Sequence, residues 1–385
     1  MGNRGFEQAE FEARLARAQA AMGAAGLDAL LLTNETEVRY FTGYLTRFWE
    51  SPTRPWFLVV PASGKPVAVI PSIGAALMGQ TWIEDIRCWS APDLADDGVS
   101  LLGETLRELT PDRGRIGVPD GHETHLRMPL ADFRRLEMLV DARQIVGDSG
   151  IMRSLRMVKS AAEIAKIETA CAIAGRAFGR VPEIAGPGVP LDDVFRRFQM
   201  LCLEEGADWV PYLAGGAEQG GYADVISPAR PVPLAAGDVL MLDTGMVWDG
   251  YFCDYDRNWS IGDASSAVQT AHAQLIEASD AAFDIARPGA TAAELFHAMN
   301  DVLTRGAEAT DAGRLGHGLG MSLTEWPSLI AQDHTPLEAG MVFTCEPGIY
   351  IPEEGLGIRL EHYILVTDGD PIDLMASIPL ASVPS

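Results

Sequence analysis

The sequence predicts two mixed α/β domains that meet near residue 150. Helix-like and strand-like patterns alternate through the first 150 residues, and a capping pattern, Ser160-Ala-Ala-Glu163, then opens a long helix. Further on, an apolar run at 239–242 leads through Asp249-Gly250 into an aromatic-rich segment, which indicates a β-hairpin. A chain of 385 residues is long enough for two such domains, each with its own core.

In the first domain, residues 7–26 place apolar side chains at helical spacing and end in glycines, which predicts an amphipathic helix. Apolar runs bounded by turn residues predict the strands, and longer periodic stretches predict the helices. We expect strands at 27–33, 56–60, 66–70, near 116 and at 139, and further helices at 100–109 and 130–136.

In the second domain, the same patterns predict four helices and a closing series of short strands. The helices are expected at 160–178, 191–205, 264–286 and 292–305, and the short strands between 339 and 367. A glycine-rich loop is expected at 214–222. It has no basic residue and no helix directly after it, which argues against a phosphate-binding role. We expect it to line a pocket.

Composition excludes several classes of function. A net charge of −25 and a pI near 4.6 argue against nucleic acid or anionic membranes as partners. No apolar run approaches the roughly 20 residues of a membrane span, and the first residues lack the apolar core of a signal peptide. The five cysteines are scattered and never spaced as Cys-x-x-Cys, which favours a reducing compartment. We expect a cytoplasmic enzyme.

Two carboxylates stand out on the predicted hairpin. Asp243 ends the apolar run, and Asp254 lies on the returning segment. Burying either carboxylate without compensation would cost several kcal/mol, on the order expected for an unpaired charge. A bound cation is therefore the expected partner of this pair.

Three downstream stretches offer matching groups. His317 stands between glycines, Glu346 follows an apolar run, and Arg359 and Glu361 share one face of a predicted strand. Four carboxylates with one imidazole carry more negative charge than one divalent ion needs. They suit a pair of manganese, iron, cobalt or zinc ions about 3.5–4 Å apart.

The order and spacing of these groups resemble the creatinase, methionine aminopeptidase and prolidase superfamily, the pita-bread metallopeptidases. The motifs that carry the resemblance are Asp243 with Asp254-x-x-Arg257, His317-Gly-x-Gly, Thr344-x-Glu346-Pro-Gly and Arg359-x-Glu361. The resemblance implies a creatinase/prolidase-type domain over residues 1–150. It implies a pita-bread catalytic domain, a curved antiparallel sheet flanked by helices, over residues 151–385.

The resemblance also implies roles for these residues. Asp243 and Asp254 would hold one metal, His317 and Glu346 the other, and Asp254 and Glu361 would bridge the two ions. Manganese is the first expectation, with iron, cobalt or zinc as alternatives. Glu346 is the candidate that accepts the proton of the attacking water. Arg359, Asp256 and Thr344 are expected to hold the ligands in place.

The chain departs from the family at two outer histidines. The histidine that aminopeptidase P and prolidase carry seven residues after the metal-binding one is replaced by Thr324, and residues 224–230 contain no histidine either. A threonine can donate a hydrogen bond but cannot become a cation. This departure puts standard cleavage of Xaa-Pro bonds in doubt.

Two segments are candidates for substrate contact. Thr324, Glu325 and Trp326 form the first, because an indole beside a carboxylate suits a cationic substrate, although packing is the alternative for the tryptophan. The second holds Phe48, Trp49 and Arg54, since related dimers insert such a loop into the partner's active site. Packing on its own domain is the alternative for that loop.

These observations predict a dinuclear metal-dependent hydrolase of C–N bonds that resembles Xaa-Pro aminopeptidases and dipeptidases. Its partners would be a small peptide or small amide substrate and a second copy of the chain. The near alternative is a non-peptide member of the superfamily, resembling ectoine hydrolases or dimethylsulfoniopropionate lyases. A metal-free or non-catalytic binding module is the remote alternative, and the complete set of ligands argues against it.

Overall fold

The computed structural model of the protein describes residues 4–51, 54–305, 313–351, 356–375 and 380–383. The chain divides into two compact units, and the division falls between Arg156 and Met157.

The N-terminal unit is built on a six-stranded mixed sheet with the order β4-β3-β2-β1-β5-β6. β1 and β2 pair antiparallel, whereas β1 and β5 pair in parallel. The strands are β1 (Ala29–Leu32), β2 (Phe57–Pro61), β3 (Val67–Pro71), β4 (Asp85–Trp89), β5 (Arg115–Val118) and β6 (Gln144–Gly147). The helices are α1 (Gln8–Ala25), α2 (Glu35–Thr42), α3 (Ala75–Met78), α4 (Val99–Leu109), α5 (Leu130–Leu139) and α6 (Ile151–Met157).

The core of this unit lies between the sheet and the helices α4 and α5. Leu31, Phe57, Leu102, Ile116 and Leu136 are all buried in it. The helices and most strands follow the predicted pattern, but the strand predicted at 139 is wrong. Leu139 is the last residue of α5, where it continues the helical spacing from Leu136, and the strand forms instead at β6.

The second unit contains two larger sheets and a two-stranded ribbon. The sheet orders are β7-β8-β10-β18, with β9 pairing with β8, then β12-β11-β13-β16-β17, and β14-β15. The strands are β7 (Trp209–Gln219), β8 (Asp238–Trp248), β9 (Tyr251–Phe252), β10 (Tyr255–Ile261), β11 (His317–Gly318), β12 (Glu325–Ser328), β13 (Val342–Cys345), β14 (Gly348–Ile351), β15 (Leu356–Arg359), β16 (His362–Leu365), β17 (Ile372–Asp373) and β18 (Ala381–Val383). The helices are α7 (Ala161–Gly179), α8 (Leu191–Glu205), α9 (Ser266–Ile285) and α10 (Ala292–Thr304).

The four predicted helices of this unit are confirmed to within a few residues. The predicted capping box is also present: the Ser160 hydroxyl accepts from the Glu163 N–H, and the Glu163 carboxylate accepts from the Ser160 N–H. Such reciprocal bonds satisfy backbone donors that the first turn of a helix leaves open.

The predicted hairpin is formed by β8, which pairs antiparallel first with β9 and then with β10. Its turn is Asp249-Gly250, where both residues have positive φ angles, 47° and 77°, as a tight hairpin turn requires. The Asp249 carboxylate binds the Lys166 ammonium of α7, and both side chains are buried. This ion pair fixes the end of the hairpin against the helix.

The glycine-rich stretch differs from its prediction. Residues 214–219 form part of β7 and pair along β8 rather than forming a loop. A side chain at Gly215 would meet the Met241 carbonyl oxygen at 2.1 Å, so a glycine is required for the two backbones to approach.

No helix of the described residues is long and apolar enough to cross a membrane.

Candidate metal centre

The hairpin supplies the first two carboxylates. Asp243 lies in the middle of β8, whose residues are all buried, and is 2% exposed. Asp254 is 4% exposed and lies in the short break between β9 and β10. A buried strand and a tight turn thus hold both acids away from solvent.

His317 enters from β11, and its two glycine neighbours explain how it fits. A side chain at Gly316 would meet the Thr344 carbonyl oxygen at 2.1 Å, and one at Gly318 would meet the Trp326 carbonyl oxygen at 2.1 Å. The imidazole Nδ1 lies 2.8 Å from the Gly318 carbonyl oxygen. With the proton on Nδ1, the lone pair of Nε2 is left for a metal ion.

Nε2 of His317 faces two carboxylates. It lies 3.3 Å from Oδ2 of Asp254 and 3.0 Å from Oε1 of Glu346. Glu346 follows directly after β13, and its backbone N–H donates to the Leu315 carbonyl at 2.9 Å. This backbone hydrogen bond holds Leu315, just before β11, next to Glu346, just after β13.

Glu361 completes the set from the gap between β15 and β16. Arg359 joins it to Glu346, because the guanidinium Nη2 lies 2.5 Å from Oε1 of Glu361 and also binds Oε2 of Glu346. Thr344 donates from its hydroxyl to Oε1 of Glu346 and accepts from the His317 N–H at 3.1 Å. Arg359 and Thr344 thus contact the carboxylates that they were expected to orient.

The five predicted ligands meet in two overlapping groups. Asp254, His317 and Glu346 form one, Asp243, Asp254 and Glu361 form the other, and within each the ligand atoms lie within 4.8 Å of one another. Asp254 belongs to both. Every member is buried, so the carboxylates are not a solvated acidic surface.

The electrostatics show a shortage of positive charge. Burial raises the pKa of Asp243 to about 6, against the attraction of Arg359. Burial and neighbouring carboxylates raise the pKa of Asp254 and of Glu361 well above the ordinary range. At Glu346 burial acts in the same direction, but His317 and Arg359 outweigh it and hold its pKa below the usual value. Added cations would stabilise the ionised form of all four acids.

Oxygen atoms of this cluster also lack partners. Asp243 Oδ1 and Glu361 Oε2 are buried and accept no hydrogen bond from any described residue. Buried carboxylate oxygens are normally satisfied, so these two atoms are available to a bound cation. A mixed set of carboxylate oxygens and one imidazole nitrogen fits divalent first-row ions.

Asp256, expected to support the ligands, stands directly opposite Asp243 across β8 and β10. It is fully buried, and neither carboxylate oxygen has a hydrogen-bond partner among the described residues. Burial raises its pKa well above the usual value, against the attraction of Arg359. Asp256 is therefore a further buried carboxyl group at the centre whose charge the neighbouring arginines do not fully compensate.

Tyr212 is a neighbour of the centre that the sequence did not reveal. Its hydroxyl donates to Oδ2 of Asp243 at 3.3 Å from the adjacent strand β7. The only sequence signal is an aromatic residue near the start of that strand, and the register that brings it to Asp243 appears only in the fold.

The three residues predicted to contact substrate after His317 have different surroundings in the structure. Glu325 is 8% exposed and already bound, by the Lys159 ammonium at 3.4 Å and the Ser322 N–H at 3.0 Å. Trp326 packs against the hydrophobic core of the second unit. Thr324 is half-buried directly before β12. Of the three, Glu325 and Trp326 are engaged by the second unit itself, which leaves Thr324 as the candidate for substrate contact.

The aromatic segment of the N-terminal unit is ordered by its own neighbours. Trp49 is 6% exposed, with its ring centroid 5.7 Å from that of Trp56, and Arg127 donates to its carbonyl at 2.6 Å. Phe48 is 36% exposed, and the Arg54 guanidinium lies 4.9 Å from its ring centroid. Phe48 and Arg54 therefore present the accessible surface of this segment, whereas Trp49 is packed inside.

Comparison with known proteins defines the class to which this fold and site belong. The profile of metallopeptidase family M24 matches residues 165–368, and that of the creatinase/prolidase N-terminal domain matches residues 14–158. The chain belongs to metallopeptidase family M24. It is a hydrolase, and membership implies divalent metal ions. The superfamily and the fold class predicted from the sequence are confirmed.

Individual relatives cover almost the whole chain. A probable dipeptidase PepE of Mycobacterium tuberculosis is 32% identical over 97% of this chain and 96% of its own length. The crystal structure of dipeptidase PepE from Mycobacterium ulcerans aligns with a TM-score of 0.85 at 32% identity, over 99% of this chain and 100% of that one. A prolidase from Thermococcus sibiricus shares the fold, with a TM-score of 0.84 at 23% identity, over 97% of this chain and 99% of that one.

Proposed function

We propose that the protein is a dinuclear metal-dependent dipeptidase whose first substrate class is Xaa-Pro dipeptides. The observation that carries the proposal is the position of Asp254, which belongs to both groups of buried ligands. A carboxylate shared by two ligand groups suits a bridge between two ions. Relatives named dipeptidase, at 32% identity, and Xaa-Pro dipeptidase, at 31% over 62% of the chain, support a small peptide as substrate.

One ion would be held by His317 and Glu346 and the other by Asp243, with Asp254, which belongs to both groups, between them. The family resemblance gives Glu361 a second bridging position. Manganese is our first choice, because most donors are hard carboxylate oxygens. When bound, the two cations would polarise the scissile carbonyl and acidify a water molecule.

Glu346 is the proposed acceptor of the proton from the attacking water. Thr344 and Arg359 hold its two oxygens and keep it ionised. Because the same donors lower its basicity, the proton must come from an acidified water.

Thr324 sets a limit on this chemistry. By the family resemblance it stands where the outer histidine would be, and a threonine hydroxyl can donate one hydrogen bond to the oxyanion of the tetrahedral intermediate but carries no charge. We therefore propose that oxyanion stabilisation depends on the metal pair and one neutral donor.

A cytoplasmic homodimer is part of the same proposal. Cys171, Cys202, Cys253 and Cys345 are buried as free thiols and Cys88 is exposed as one, which suits a reducing compartment. The dimer follows from the family resemblance alone. A sedimentation velocity experiment that finds only monomer at micromolar concentration would remove it.

The test combines metal content with turnover. Purified protein is reconstituted with manganese, iron, cobalt or zinc, the bound metal is counted by mass spectrometry, and a panel of Xaa-Pro and other dipeptides and tripeptides is assayed. Two ions per chain with cleavage of Xaa-Pro dipeptides supports the proposal. Two ions without cleavage of any peptide overturns the substrate class and favours a small non-peptide amide. A chain that takes up no ion overturns the dinuclear mechanism.

A further inference from the structure

Arg359 occupies a distinctive place in the centre, because it touches one carboxylate from each ligand group. Its Nη2 binds Glu346 of the group that contains His317, and Glu361 of the group that contains Asp243. The distance between the two groups therefore depends on where Arg359 is held.

The backbone of Arg359 is held by two buried side chains. Its N–H donates to the hydroxyl oxygen of Tyr222 at 2.8 Å, and its carbonyl accepts from Nδ2 of Asn258 at 2.6 Å. The Tyr222 hydroxyl in turn donates to Oδ1 of Asn258 at 2.8 Å. Tyr222 is 6% exposed and Asn258 is 3% exposed, so water does not compete for these bonds.

These three residues form a closed ring of hydrogen bonds, which we name the Arg359 clamp. The ring fixes the orientation of the Asn258 amide, because Oδ1 must face the tyrosine proton and Nδ2 the carbonyl. Each polar group in it has its partner inside the ring, so loss of one side chain leaves buried donors or acceptors unsatisfied.

A close backbone contact anchors the clamp. The Tyr222 N–H donates to the Gly357 carbonyl at 2.9 Å. A side chain at Gly221 would meet the Gly357 carbonyl oxygen at 1.9 Å, and one at Gly357 would meet the Tyr222 carbonyl oxygen at 2.2 Å. Glycines at both positions let the turn after β7 lie directly on β15, which ends at Arg359.

The clamp also reaches the hairpin that carries the first two ligands. Asn258 lies on β10 opposite Met241 of β8, four residues after Asp254. Asp254 directly precedes β10, and Asn258 on β10 binds the backbone of Arg359 at the end of β15. The hydrogen-bond ring therefore links the hairpin to β15.

We propose that Tyr222 and Asn258 are positioning residues of the metal centre, which hold Arg359 and through it the carboxylates of Glu346 and Glu361. This inference rests on the metal pair of the proposed function. Neither residue touches the ligand oxygens, so each acts through the backbone of Arg359.

The test measures metal binding rather than turnover. Tyr222→Phe, Asn258→Ala and the double variant are compared with wild type in the dissociation constants of Mn²⁺ by calorimetry and in the absorption spectrum of bound Co²⁺. Each single variant is expected to weaken binding of at least one ion about tenfold, the lower end of what loss of outer support costs. The double variant is expected to bind the metal only slightly more weakly than either single variant, because both side chains belong to one ring of hydrogen bonds.

Tyr251→Phe is the matched control, because Tyr251 is also a buried tyrosine of this unit, and its hydroxyl donates to Glu163 of α7 at 2.9 Å. It should lower the melting temperature of the metal-free protein about as much as Tyr222→Phe while keeping wild-type metal affinity. Wild-type dissociation constants in Tyr222→Phe and Asn258→Ala overturn the inference, as does an equal loss of affinity in Tyr251→Phe.

The same experiment separates this inference from the proposed function. A wild-type protein that binds two ions but cleaves no peptide overturns the dipeptidase proposal, while the affinities of the variants still decide the clamp. A wild-type protein that binds no divalent ion overturns both.

Discussion

Asp254 is the residue on which both ligand groups depend. It is 4% exposed and lies beside His317 in one group and beside Asp243 and Glu361 in the other. Loss of any other ligand removes a donor from one of the two groups, whereas loss of Asp254 removes a donor from both. Its substitution should therefore affect both ions together.

We predict that Asp254→Ala loses most of both bound metals and lowers kcat/KM at least a thousandfold, which corresponds to about 4 kcal/mol of transition-state stabilisation. Metal analysis by mass spectrometry after gel filtration and turnover of a dipeptide substrate check this. Asp280→Ala, on the exposed side of α9, is the control and should match wild type. A variant of Asp254 with full metal content would refute the bridging role.

Glu37 is a second residue with a measurable consequence, in the N-terminal unit. It is 2% exposed, and burial raises its pKa from 4.5 to about 7, although Arg156 and Asn34 act to lower it. A carboxyl with a raised pKa binds its proton more tightly in the folded state than in the unfolded state. Its contribution to stability is therefore greatest below pH 4.5 and falls as the pH rises to about 7.

We predict that Glu37→Gln removes this part of the pH dependence. Relative to wild type, the variant should gain roughly 1–3 kcal/mol in unfolding free energy between pH 5 and pH 8, because one pKa unit corresponds to about 1.4 kcal/mol. Denaturant unfolding at the two pH values measures the difference. Glu12→Gln, at an exposed position of α1, should show the wild-type dependence, and parallel profiles for Glu37→Gln would contradict the prediction.

At the residue scale, the sequence predicted the five candidate ligands and the supporting residues Arg359 and Thr344, but it did not reveal Tyr212 or Tyr222. Asp243, Asp254 and His317 stand out because each follows or interrupts an apolar or glycine pattern in the chain. Tyr212 and Tyr222 carry no such pattern, since their importance comes from the strand register and the contact with β15. Long-range register of this kind is not encoded in local spacing.

At the element scale, the hairpin of β8 and β10 was the most predictable feature. An apolar run, an Asp-Gly turn and an aromatic return strand determine it locally. β6 was misplaced because Leu139 suits a strand or a helix equally, and only the packing of α5 in the core decides between them. The glycines in the second half of β7 weaken the strand pattern, so the sequence predicts a loop from residue 214, although Gly215 is needed for close approach to β8.

The hairpin turn also allows a test of a buried ion pair. Lys166 and Asp249 have side chains that are 4% and 7% exposed. We predict that Lys166→Met destabilises the second unit by about 3 kcal/mol or more, because it removes the cation that pairs with a buried carboxylate. Urea unfolding followed by circular dichroism measures the change.

The same substitution at an exposed pair supplies the comparison. Lys65 pairs with Glu84, and their side chains are 39% and 76% exposed. Lys65→Met should cost less than about 1 kcal/mol, as exposed pairs do. Equal losses in the two variants would show that the Lys166 pair is no more important than a surface contact.

At the scale of the whole molecule, metal binding should stabilise the unit that contains the ligands. We predict that Mn²⁺ at about a hundred times its dissociation constant adds about 2.7 kcal/mol per site to that unit, and that a chelator removes both this gain and the activity. Differential scanning calorimetry with and without Mn²⁺ measures the shift. The transition should not move with Mn²⁺ in Asp254→Ala, and a similar shift there would place the bound metal elsewhere.

The chain divides into two units between Arg156 and Met157, and the sequence signals the start of the second unit but not how its strands pair. The change from short alternating elements to a capped helix at Ser160 marks a new beginning in the sequence. The pairing of strands within each sheet cannot be predicted in this way. In the sheet of β8, for example, β10 pairs with β18, where Trp259 stands opposite Ala381.

The ligands themselves come from segments that are distant along the chain, from Asp243 to Glu361. Asp243 belongs to the sheet of β8, whereas His317 belongs to the sheet of β11, so neither sheet completes a ligand group by itself. During refolding, a partly assembled chain would therefore hold too few donors to retain an ion. We therefore expect stable metal uptake to follow the assembly of both sheets.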